Sequence, residues 1–410
     1  MRTTTRGPQS ARQFIPVAAL LLLAASVQKS TADETAAGPK SNVTIRANFP
    51  GGNVLVKSIA GHTVHVAPDL RGGRPWFYWY FAARVERPGR VSFAFPKSTA
   101  IGIIGKQGPA VSVDNGKAWK WLGADHVRGD SFFFVFTEKV KTARFAVSIP
   151  YLQSHWDRFL KRNAANRHLT TTRLTKSRKG RRVELLQVGK PGPGVQAVLV
   201  TGRHHACETM ASYVLEGFLQ AAISDMPAGK SFRKRYVLYA VPFVDKDGVE
   251  DGDQGKNRKP YDHNRDYGEK SLYPEIRAIK KLADAKHIRF ALDFHCPTLA
   301  IESHQVFYFV GAKNHPRNNF SNVERLAKLI KKQLPRKSPY GPLVWLKPVD
   351  KPVPMNSHYF GFRKSTIMAA TLEVPFAPPG KLTDAARCRA YGGVILQAWT
   401  ETRFQTSEVK

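Results

Sequence analysis

The stretch that decides the fold is residues 196–223, QAVLVTGRHHACETMASYVLEGFLQAAI. It begins with an apolar run, Gln196 to Thr201, that is typical of a buried strand. It continues into a helical pattern whose apolar positions share one stripe: Met210, Val214, Leu215, Phe218 and Leu219. A strand that leads directly into a helix is a building unit of α/β domains. The loop between them, Arg203 to Glu208, holds two histidines and a glutamate.

The same alternation continues along the second half of the chain. Further strands are predicted at residues 236–244, 288–294, 305–310 and 366–374, and further helices at 271–285, 322–333 and 384–404. The basic stretch from Arg158 to Arg182 is predicted to form a boundary helix and a loop. We therefore predict an α/β domain over residues 151–410.

Residues 42–150 have a different texture. Short runs of alternating apolar and polar residues are separated by glycine and proline clusters such as Pro50-Gly51-Gly52. Alternation bounded by turn residues indicates β-strands, and strands at this spacing predict an all-β sandwich. Residues 33–41 are predicted to be a linker.

The first 32 residues have the three-part pattern of a secretory signal peptide. Arg2, Arg6 and Arg12 precede the apolar stretch Phe14 to Val27, and small residues follow at Ser30-Thr31-Ala32. An uncleaved membrane anchor is the alternative, although 14 apolar residues are short for a span of ~20. We expect cleavage, export to the periplasm or the medium, and no stable membrane span after cleavage.

Composition limits the function classes. A chain that is 42% hydrophobic can bury a large core, so wholesale disorder is excluded. Lys plus Arg number 64 against 31 Asp plus Glu, a net charge of +33, which predicts an anionic polymer or acidic peptide as a partner. The basic residues are dispersed and no nucleic-acid-binding motif is present, so we expect no specific nucleic-acid partner. Three cysteines cannot form a disulfide framework.

Three residues have the types and positions of metal ligands. His205 and Glu208 lie three apart at the strand–helix junction, where both side chains can converge on one ion. His295 ends the apolar run Leu292-Asp293-Phe294-His295 and could supply a third ligand, which leaves a fourth position for water. The alternatives are a helix-capping glutamate and an ordinary buried histidine.

Charged residues at two further places in the sequence could bind substrate or take part in catalysis. Arg258 and the pair Asn264-Arg265 follow the strand at 236–244, and guanidinium groups grip carboxylates bidentately. Glu373 lies near the end of an apolar strand, where burial of a carboxylate is costly unless it is paired or functional. A general base beside a metal-activated water is such a function.

The order H-x-x-E, D-G-V…N-R…D-x-N-R, D-F-H and T-L-E resembles the zinc metallocarboxypeptidase (funnelin) family over roughly residues 42–405. The resemblance is closest to the cytosolic-carboxypeptidase branch and its exported bacterial relatives, in which a β-sandwich precedes a mixed-sheet α/β catalytic domain. It implies that His205, Glu208 and His295 bind one zinc ion. Glu373 would then be the general base.

The resemblance also implies roles in substrate binding. Arg258 would polarise the scissile carbonyl and stabilise the oxyanion, and Asn264 with Arg265 would hold the terminal carboxylate of a peptide or protein. The family uses a mobile tyrosine, for which Tyr359 is the candidate, with ordinary packing as its alternative. His204 is expected to cap the helix or contact substrate.

Some residues depart from the family pattern. Cys207 and Cys296 flank the predicted ligands and are interpreted as small apolar fillers, with a disulfide or thiolate ligation as alternatives.

The resulting expectation is a metallocarboxypeptidase that hydrolyses C-terminal peptide bonds. Arg363 and Lys364, together with the positive net charge, predict a preference for acidic C-terminal residues. Two alternatives stay open: a zinc-dependent deacylase or amidase on the same fold, and a cationic protein that binds a surface polymer.

Overall fold

An eight-stranded sheet at the centre of the carboxy-terminal part positions the chemistry. The computed structural model describes residues 42–96, 102–312, 315–334, 341, 344–346, 353–376 and 384–406. The predicted signal peptide and linker lie outside the described residues. Within the described part of the chain, no helix is both long enough and apolar enough to cross a membrane.

The amino-terminal part consists of two five-stranded sheets. Their strands are β1 Val43–Arg46, β2 Leu55–Ala60, β3 Thr63–Ala67, β4 Tyr80–Val85, β5 Gly89–Ala94, β6 Ala110–Ser112, β7 Lys120–Trp121, β8 Val127–Arg128, β9 Ser131–Phe136 and β10 Thr142–Ala146. The strand orders are β1-β4-β10-β6-β7 and β2-β3-β5-β9-β8. Phe81 of the first sheet lies 5.3 Å from Phe93 of the second, measured between ring centroids, so aromatic rings from both sheets form one core. The predicted all-β region is confirmed.

The carboxy-terminal part is a mixed sheet flanked by helices. Its strands are β11 Leu169–Lys176, β12 Arg182–Val188, β13 Gln196–Gly202, β14 Tyr236–Val241, β15 Phe290–His295, β16 Tyr308–Ala312, β17 Val344–Leu346 and β18 Met368–Glu373. Their order is β11-β12-β14-β13-β15-β18-β16-β17. The four central strands are parallel, whereas β12 and β16 pair antiparallel with them. The predicted α/β class with a mixed sheet is confirmed.

Eight helices are described: α1 Gln153–Arg162, α2 Thr209–Ile223, α3 Pro227–Arg235, α4 Lys246–Asp251, α5 Pro274–Ala285, α6 Arg317–Gln333, α7 Asn356–Gly361 and α8 Ala385–Glu401. Helices α2 and α8 pack so closely that glycine is required at the contact. A Cβ on Gly217 would lie 2.0 Å from the Arg389 carbonyl oxygen, and one on Gly392 would lie 2.1 Å from that of Val214. The apolar side chains of α2, α6 and α8 therefore form a core on one face of the sheet, while α5 and α7 cover the other.

One local prediction is wrong. The basic stretch from Arg158 to Arg182 is not a helix followed by a loop, because α1 ends at Arg162 and β11 begins at Leu169. Three consecutive threonines at 170–172 favour the strand, and Gly180, at φ 79°, occupies the turn before β12. Because this strand is exposed and contains threonines, an arginine and a lysine, its sequence shows no alternation of apolar and polar residues. The division into two domains near residue 150 falls in the interval between β10 and α1 and stays a prediction.

A hydrogen-bonded contact joins the two parts next to the site. Gln254 accepts from the Tyr78 backbone N–H and donates to the Tyr78 carbonyl, both at 2.7 Å. The Gln254 carbonyl in turn accepts from the N–H of Cys207 at 3.2 Å. The amino-terminal sheets therefore hold the loop that contacts the His205–Glu208 segment.

Candidate active site

The three predicted metal ligands meet at one point. Nδ1 of His205 lies 2.7 Å from Oε1 of Glu208, and Nδ1 of His295 lies 2.8 Å from Oε2 of the same carboxylate. The two Nδ1 atoms are 3.2 Å apart. All three side chains are buried. The parallel pairing of β13 with β15 causes this convergence, because it places both strand ends at the same edge of the sheet.

The donor set fits a divalent ion. Two ligands ~2.0–2.1 Å from one tetrahedral zinc ion would be ~3.3 Å apart, close to the separation of the two Nδ1 atoms. Although burial alone would raise the pKa of Glu208, the imidazoles of His205 and His295 hold it well below its usual range. A buried carboxylate between two ring nitrogens that face each other is a site for a cation. His/Glu donors suit zinc.

An aspartate orients His295, and another lies beside His205. Nε2 of His295 lies 2.6 Å from Oδ2 of Asp293, two residues earlier on the same face of β15. Since a carboxylate only accepts, Nε2 carries a proton, which leaves Nδ1 as the nitrogen that can bind an ion. Nε2 of His205 faces Oδ1 of Asp262 at 3.6 Å, beyond hydrogen-bonding distance. Neither aspartate was identified from the sequence, although Asp293 belongs to the quoted strand-end motif.

His204 is not a substrate-contacting or capping residue. It is fully buried, with Nδ1 2.8 Å from Oδ1 of Asp293 and Nε2 2.8 Å from the Tyr267 hydroxyl. Thr201 donates to the same Asp293 oxygen at 2.8 Å. Both ring nitrogens are therefore engaged, and burial lowers the pKa of His204. His204 forms a second layer that fixes Asp293, which in turn fixes His295.

Arg203 holds the loop that carries His205 and Glu208. It is 1% exposed and adopts a left-handed backbone conformation at φ 59°. Its guanidinium donates to the Ala206 carbonyl, to the Tyr151 carbonyl at 2.8 Å and to Ser212 Oγ at 3.1 Å. A buried guanidinium with this many acceptors ties the metal-ligand loop to its surroundings. No pattern in the sequence indicates this role.

Glu373 lies at the same edge of the sheet. The register of β15 with β18 pairs His295 with Glu373. Oε2 of Glu373 is buried without a hydrogen-bond partner. Burial raises the pKa of Glu373 to about 7, with His295 lowering it and Glu208 raising it. A carboxyl group with a raised pKa and a free oxygen has the properties of a general acid or base.

The tyrosine beside Glu373 is Tyr308. Antiparallel pairing of β16 with β18 places the two residues directly opposite each other, and the charge of Glu373 contributes to raising the pKa of this largely buried tyrosine. The predicted residue, Tyr359, lies on α7, where its hydroxyl accepts from Nη1 of Arg363 at 2.9 Å. No contact between the described residues joins Tyr359 to the predicted metal ligands, and its catalytic role stays a prediction.

Arg258 is held between two carboxylates. Nη2 lies 2.7 Å from Oδ2 of the buried Asp245 and 2.8 Å from Oδ2 of Asp253. Despite burial, these two charges raise the pKa of Arg258. Lys256, two residues earlier, has no ion pair among the described residues, and Nζ lies 5.8 Å from the centroid of Trp76. Its charge lowers the pKa of Glu373, so a second cation acts on the centre of the site.

Asn264 and Arg265, predicted to hold the substrate's terminal carboxylate, are called the carboxylate clamp. One of them is buried and the other is exposed. Asn264 is buried, and its Oδ1 accepts from the Asn356 backbone N–H at 3.2 Å. Arg265 is exposed and, like the ligand His205, lowers the pKa of Asp262 against the effect of burial. The short turn His263–Arg265 therefore connects the clamp to the metal cluster through Asp262.

Arg363 does not support an acidic pocket at the site. It forms an ion pair with Asp284 at 2.6 Å, and Asp284 lies in the last turn of α5. Residues 363–367 precede β18, so they lie at the end of that strand opposite Glu373. The five steps of β18 from Met368 to Glu373 span ~17 Å, so Arg363 does not lie beside Glu373 and the acidic preference stays a prediction.

The cysteines beside the ligands are free thiols. Cys207 and Cys296 are both buried, and burial raises the pKa of each. A thiol with a raised pKa is a poor metal ligand because the thiolate is the ligating form. The interpretation of both residues as small apolar fillers agrees with this arrangement, in which no disulfide joins them.

Comparison with known proteins identifies related chains. Residues 158–344 match the family model described as zinc carboxypeptidase. Cytosolic carboxypeptidase 6 of Homo sapiens is 28% identical over 291 residues, which is 62% of this chain and 57% of that protein. Cytosolic carboxypeptidase 2 of Xenopus tropicalis is 28% identical over 200 residues, 45% of this chain and 20% of that protein. The chain thus spans less than two thirds of the length of these relatives.

Solved structures share the fold. A metallo-carboxypeptidase from Burkholderia cenocepacia superimposes with a TM-score of 0.74 at 19% identity and covers 88% of this chain and 98% of its own. A metallo-carboxypeptidase from Pseudomonas aeruginosa, solved with (2-guanidinoethylmercapto)succinic acid, gives a TM-score of 0.72 at 22% identity, with 87% and 98% covered. The likeness includes the amino-terminal β region.

Proposed function

We propose, from the match of residues 158–344 to the zinc carboxypeptidase family model, that the protein is a zinc-dependent metallocarboxypeptidase that hydrolyses C-terminal peptide bonds. The observation that carries the proposal is the convergence of His205, Glu208 and His295 within hydrogen-bonding distance of one another at the strand end occupied by Glu373. Three buried ligands on one side and a carboxyl group with a raised pKa on the other are the parts that hydrolysis needs.

The proposed ligands of the ion are Nδ1 of His205, the carboxylate of Glu208 and Nδ1 of His295. When bound, a zinc ion acts as a Lewis acid and lowers the pKa of water to ~7. Asp293 keeps the imidazole of His295 in the orientation that presents Nδ1.

Glu373 acts first as the general base and then as the general acid in this proposal. Its unpartnered Oε2 accepts a proton from the attacking water, and the same carboxyl group then donates it to the departing amine. A pKa raised to about 7 by burial suits both directions of transfer near neutral pH. Arg258 and Lys256 supply positive charge that opposes the charge on the oxyanion.

The substrate is proposed to be the C-terminus of a peptide or protein. Arg265, which is exposed, pairs with the terminal carboxylate, and Asn264 donates through Nδ2, since its Oδ1 already accepts from the backbone N–H of Asn356. The finer proposal is a preference for acidic C-terminal residues. Support for it comes from the net charge of +33 and not from Arg363, which is paired with Asp284.

Export is proposed for this protein on the pattern in residues 1–32. Amino-terminal sequencing of the protein from culture fractions would test it. A protein that starts before residue 30 and stays inside the cell would contradict export but not the enzymatic function.

The function is tested by metal analysis together with hydrolysis of a peptide panel ending in Glu, Leu, Lys and D-Ala. We expect one zinc ion per chain and release of the C-terminal residue, fastest from the Glu peptide. Glu373→Gln should retain zinc and lose hydrolysis. Equal or faster release of Lys would contradict the acidic preference, and cleavage of N-acyl amino acids without peptides would favour a deacylase. Salt-dependent binding of an anionic polymer by an inactive wild type would favour a binding protein.

A further inference from the structure

Two buried imidazoles near the proposed carboxylate clamp have one unpartnered nitrogen each. His315 is 4% exposed and His358 is 1% exposed, and their ring centroids lie 5.5 Å apart with the planes at 78°. Nε2 of each ring is buried and forms no hydrogen bond. A buried polar atom without a partner costs free energy, so the two nitrogens are candidate partners for a group that enters between the rings.

The other ring nitrogen shows which tautomer each histidine adopts. Oδ1 of Asn319 accepts from the Ala369 N–H at 2.6 Å, so its Nδ2 donates to Nδ1 of His315 at 2.8 Å. The Val353 N–H donates to Nδ1 of His358 at 3.2 Å. Because both Nδ1 atoms accept, the proton of each neutral ring resides on Nε2. The two unpartnered atoms are therefore N–H donors without an acceptor.

Both rings are neutral at neutral pH. Burial lowers the pKa of His315 to about 4, and the charged form of His358 acts in the same direction. Burial also lowers the pKa of His358, with the charge of Arg265 as the next cause. The pair therefore offers two hydrogen-bond donors and no net charge.

The pair lies beside the strand that ends in Glu373. Side chains alternate in a strand, so Glu373 shares one face of β18 with Thr371 and Ala369, both of which are small. Ala369 lies in the same apolar cluster as Phe360 of α7, the helix that carries His358. Asn319, which fixes His315, binds the backbone of Ala369.

Helix α7 also joins the pair to the clamp. The backbone N–H of Asn356, its first residue, donates to Oδ1 of Asn264 at 3.2 Å. A Cβ on Gly361, at the end of the same helix, would lie 2.6 Å from Nε2 and Cε1 of His315. Only glycine at this position lets the His315 ring approach α7. The clamp and the two imidazoles are thus held by one short helix.

We propose that His315 and His358 form the end of the pocket for the side chain of the substrate's C-terminal residue, and that they select a side chain bearing an acceptor oxygen. This inference rests on the proposed carboxypeptidase function and names its specificity residues. A carboxylate or amide oxygen of Glu or Gln accepts from both Nε2–H groups. Methionine, of similar size to Gln, leaves both donors unpaired, and the lysine ammonium brings a third donor group to them.

The test compares kcat/KM for benzoyl-glycyl peptides that end in Glu, Gln, Met or Lys, hydrolysed by the zinc-loaded protein. We expect Gln to exceed Met by at least ~10-fold, the least that one unpaired buried donor would produce, and Lys to be the poorest substrate. His358→Phe and His315→Phe should bring the Gln/Met ratio close to 1, mainly through KM for Gln. His358→Gln, which keeps a donor, should retain part of the ratio.

The matched control is Lys364→Gln, an exposed change that should leave the ratio as in the wild type. A Gln/Met ratio measured within one sample does not depend on the folded fraction. It can therefore be determined even for a variant that folds poorly. Met as good as Gln in the wild type, or an unchanged ratio in both Phe variants, would overturn the inference while hydrolysis itself sustains the proposed function. If none of the four peptides were hydrolysed, both this inference and the proposed carboxypeptidase function would be contradicted.

Discussion

Tyr308 and Glu373 lie directly opposite each other across an antiparallel pair of strands, and the carboxyl group contributes to the raised pKa of the phenol. This relationship puts both side chains on the same face of the sheet, and we infer from it that the phenol can donate to the substrate beside the proposed base. Tyr359, by contrast, is bonded to Arg363 on α7.

Replacement of Tyr308 should therefore affect catalysis more than replacement of Tyr359. Tyr308→Phe keeps the packing and removes one donor, and we expect kcat to fall by ~10-fold to 100-fold. Tyr359→Phe should change kcat by less than ~3-fold. Steady-state kinetics on the Glu-ended peptide give the comparison. The opposite ranking would restore the catalytic role predicted for Tyr359.

Disruption of the layer behind His295 should weaken metal binding. Asp293→Asn can no longer accept from both His204 and His295 as a carboxylate does, so the orientation of the ligand is lost. We expect zinc affinity to fall by ~10-fold to 100-fold, measured by competition with a chelator. His204→Phe, which acts only through Asp293, should show a smaller decrease in the same assay. A zinc affinity equal to that of the wild type in both variants would show that the layer has no influence on the ion.

Replacement of Arg258 should lower the free energy of unfolding, whereas replacement of Lys256 should leave it nearly unchanged. Arg258→Gln leaves the fully buried Asp245 without its ion pair, and we expect the free energy of unfolding to fall by ~3 kcal/mol. Lys256→Gln removes a charge that no acid in the described residues pairs with, so the free energy of unfolding should stay within ~0.5 kcal/mol of the wild type.

Both variants should lose activity, because both cations are proposed to oppose the charge on the oxyanion. For Lys256→Gln we expect kcat/KM to fall by ~10²-fold, because the positive charge near Glu373 is lost. Urea unfolding and peptide kinetics on both variants test the two halves of this prediction. Full activity in Lys256→Gln would mean that its charge does not reach the reacting atoms.

Stability should decrease in mild acid through His155. Burial lowers the pKa of His155 to about 3 in the folded protein, whereas an unfolded histidine titrates near ~6.5. Below pH ~6.5 the unfolded chain binds a proton that the folded protein does not, so the free energy of unfolding falls as the pH decreases towards about 3. Urea unfolding of the zinc-loaded protein at pH 7.5, 6 and 5 measures this slope. His155→Gln should make it shallower, and an identical slope would exclude this histidine as the cause.

The convergence of the proposed ligands and the proposed base could be predicted because each residue lies beside a strongly patterned element. His205 and Glu208 follow a buried strand, and His295 and Glu373 end two others, so the rule that parallel strands end at one edge brings them together. Asp293 was within reach of the same reasoning, since it lies two residues before His295 on the same face of the strand.

The positions of Tyr308 and Arg363 relative to Glu373 could not be predicted from the sequence, for two different reasons. The position of Tyr308 depends on the antiparallel register between β16 and β18, which are 65 positions apart at this pair and carry no sequence signal for their pairing. Arg363 is ten positions from Glu373, but β18 runs between them, so closeness in sequence becomes distance in space. The strand β11 was missed because exposed threonines, lysines and arginines give no hydrophobic alternation.

The two-way hydrogen bond between Gln254 and the backbone of Tyr78 anchors the loop that continues to Lys256 and Arg258 on the residues just before β4. A chain that began after residue 150 would lose this anchor. The amino-terminal part therefore belongs to the scaffold of the candidate site, and its removal should loosen the loop that holds both cations.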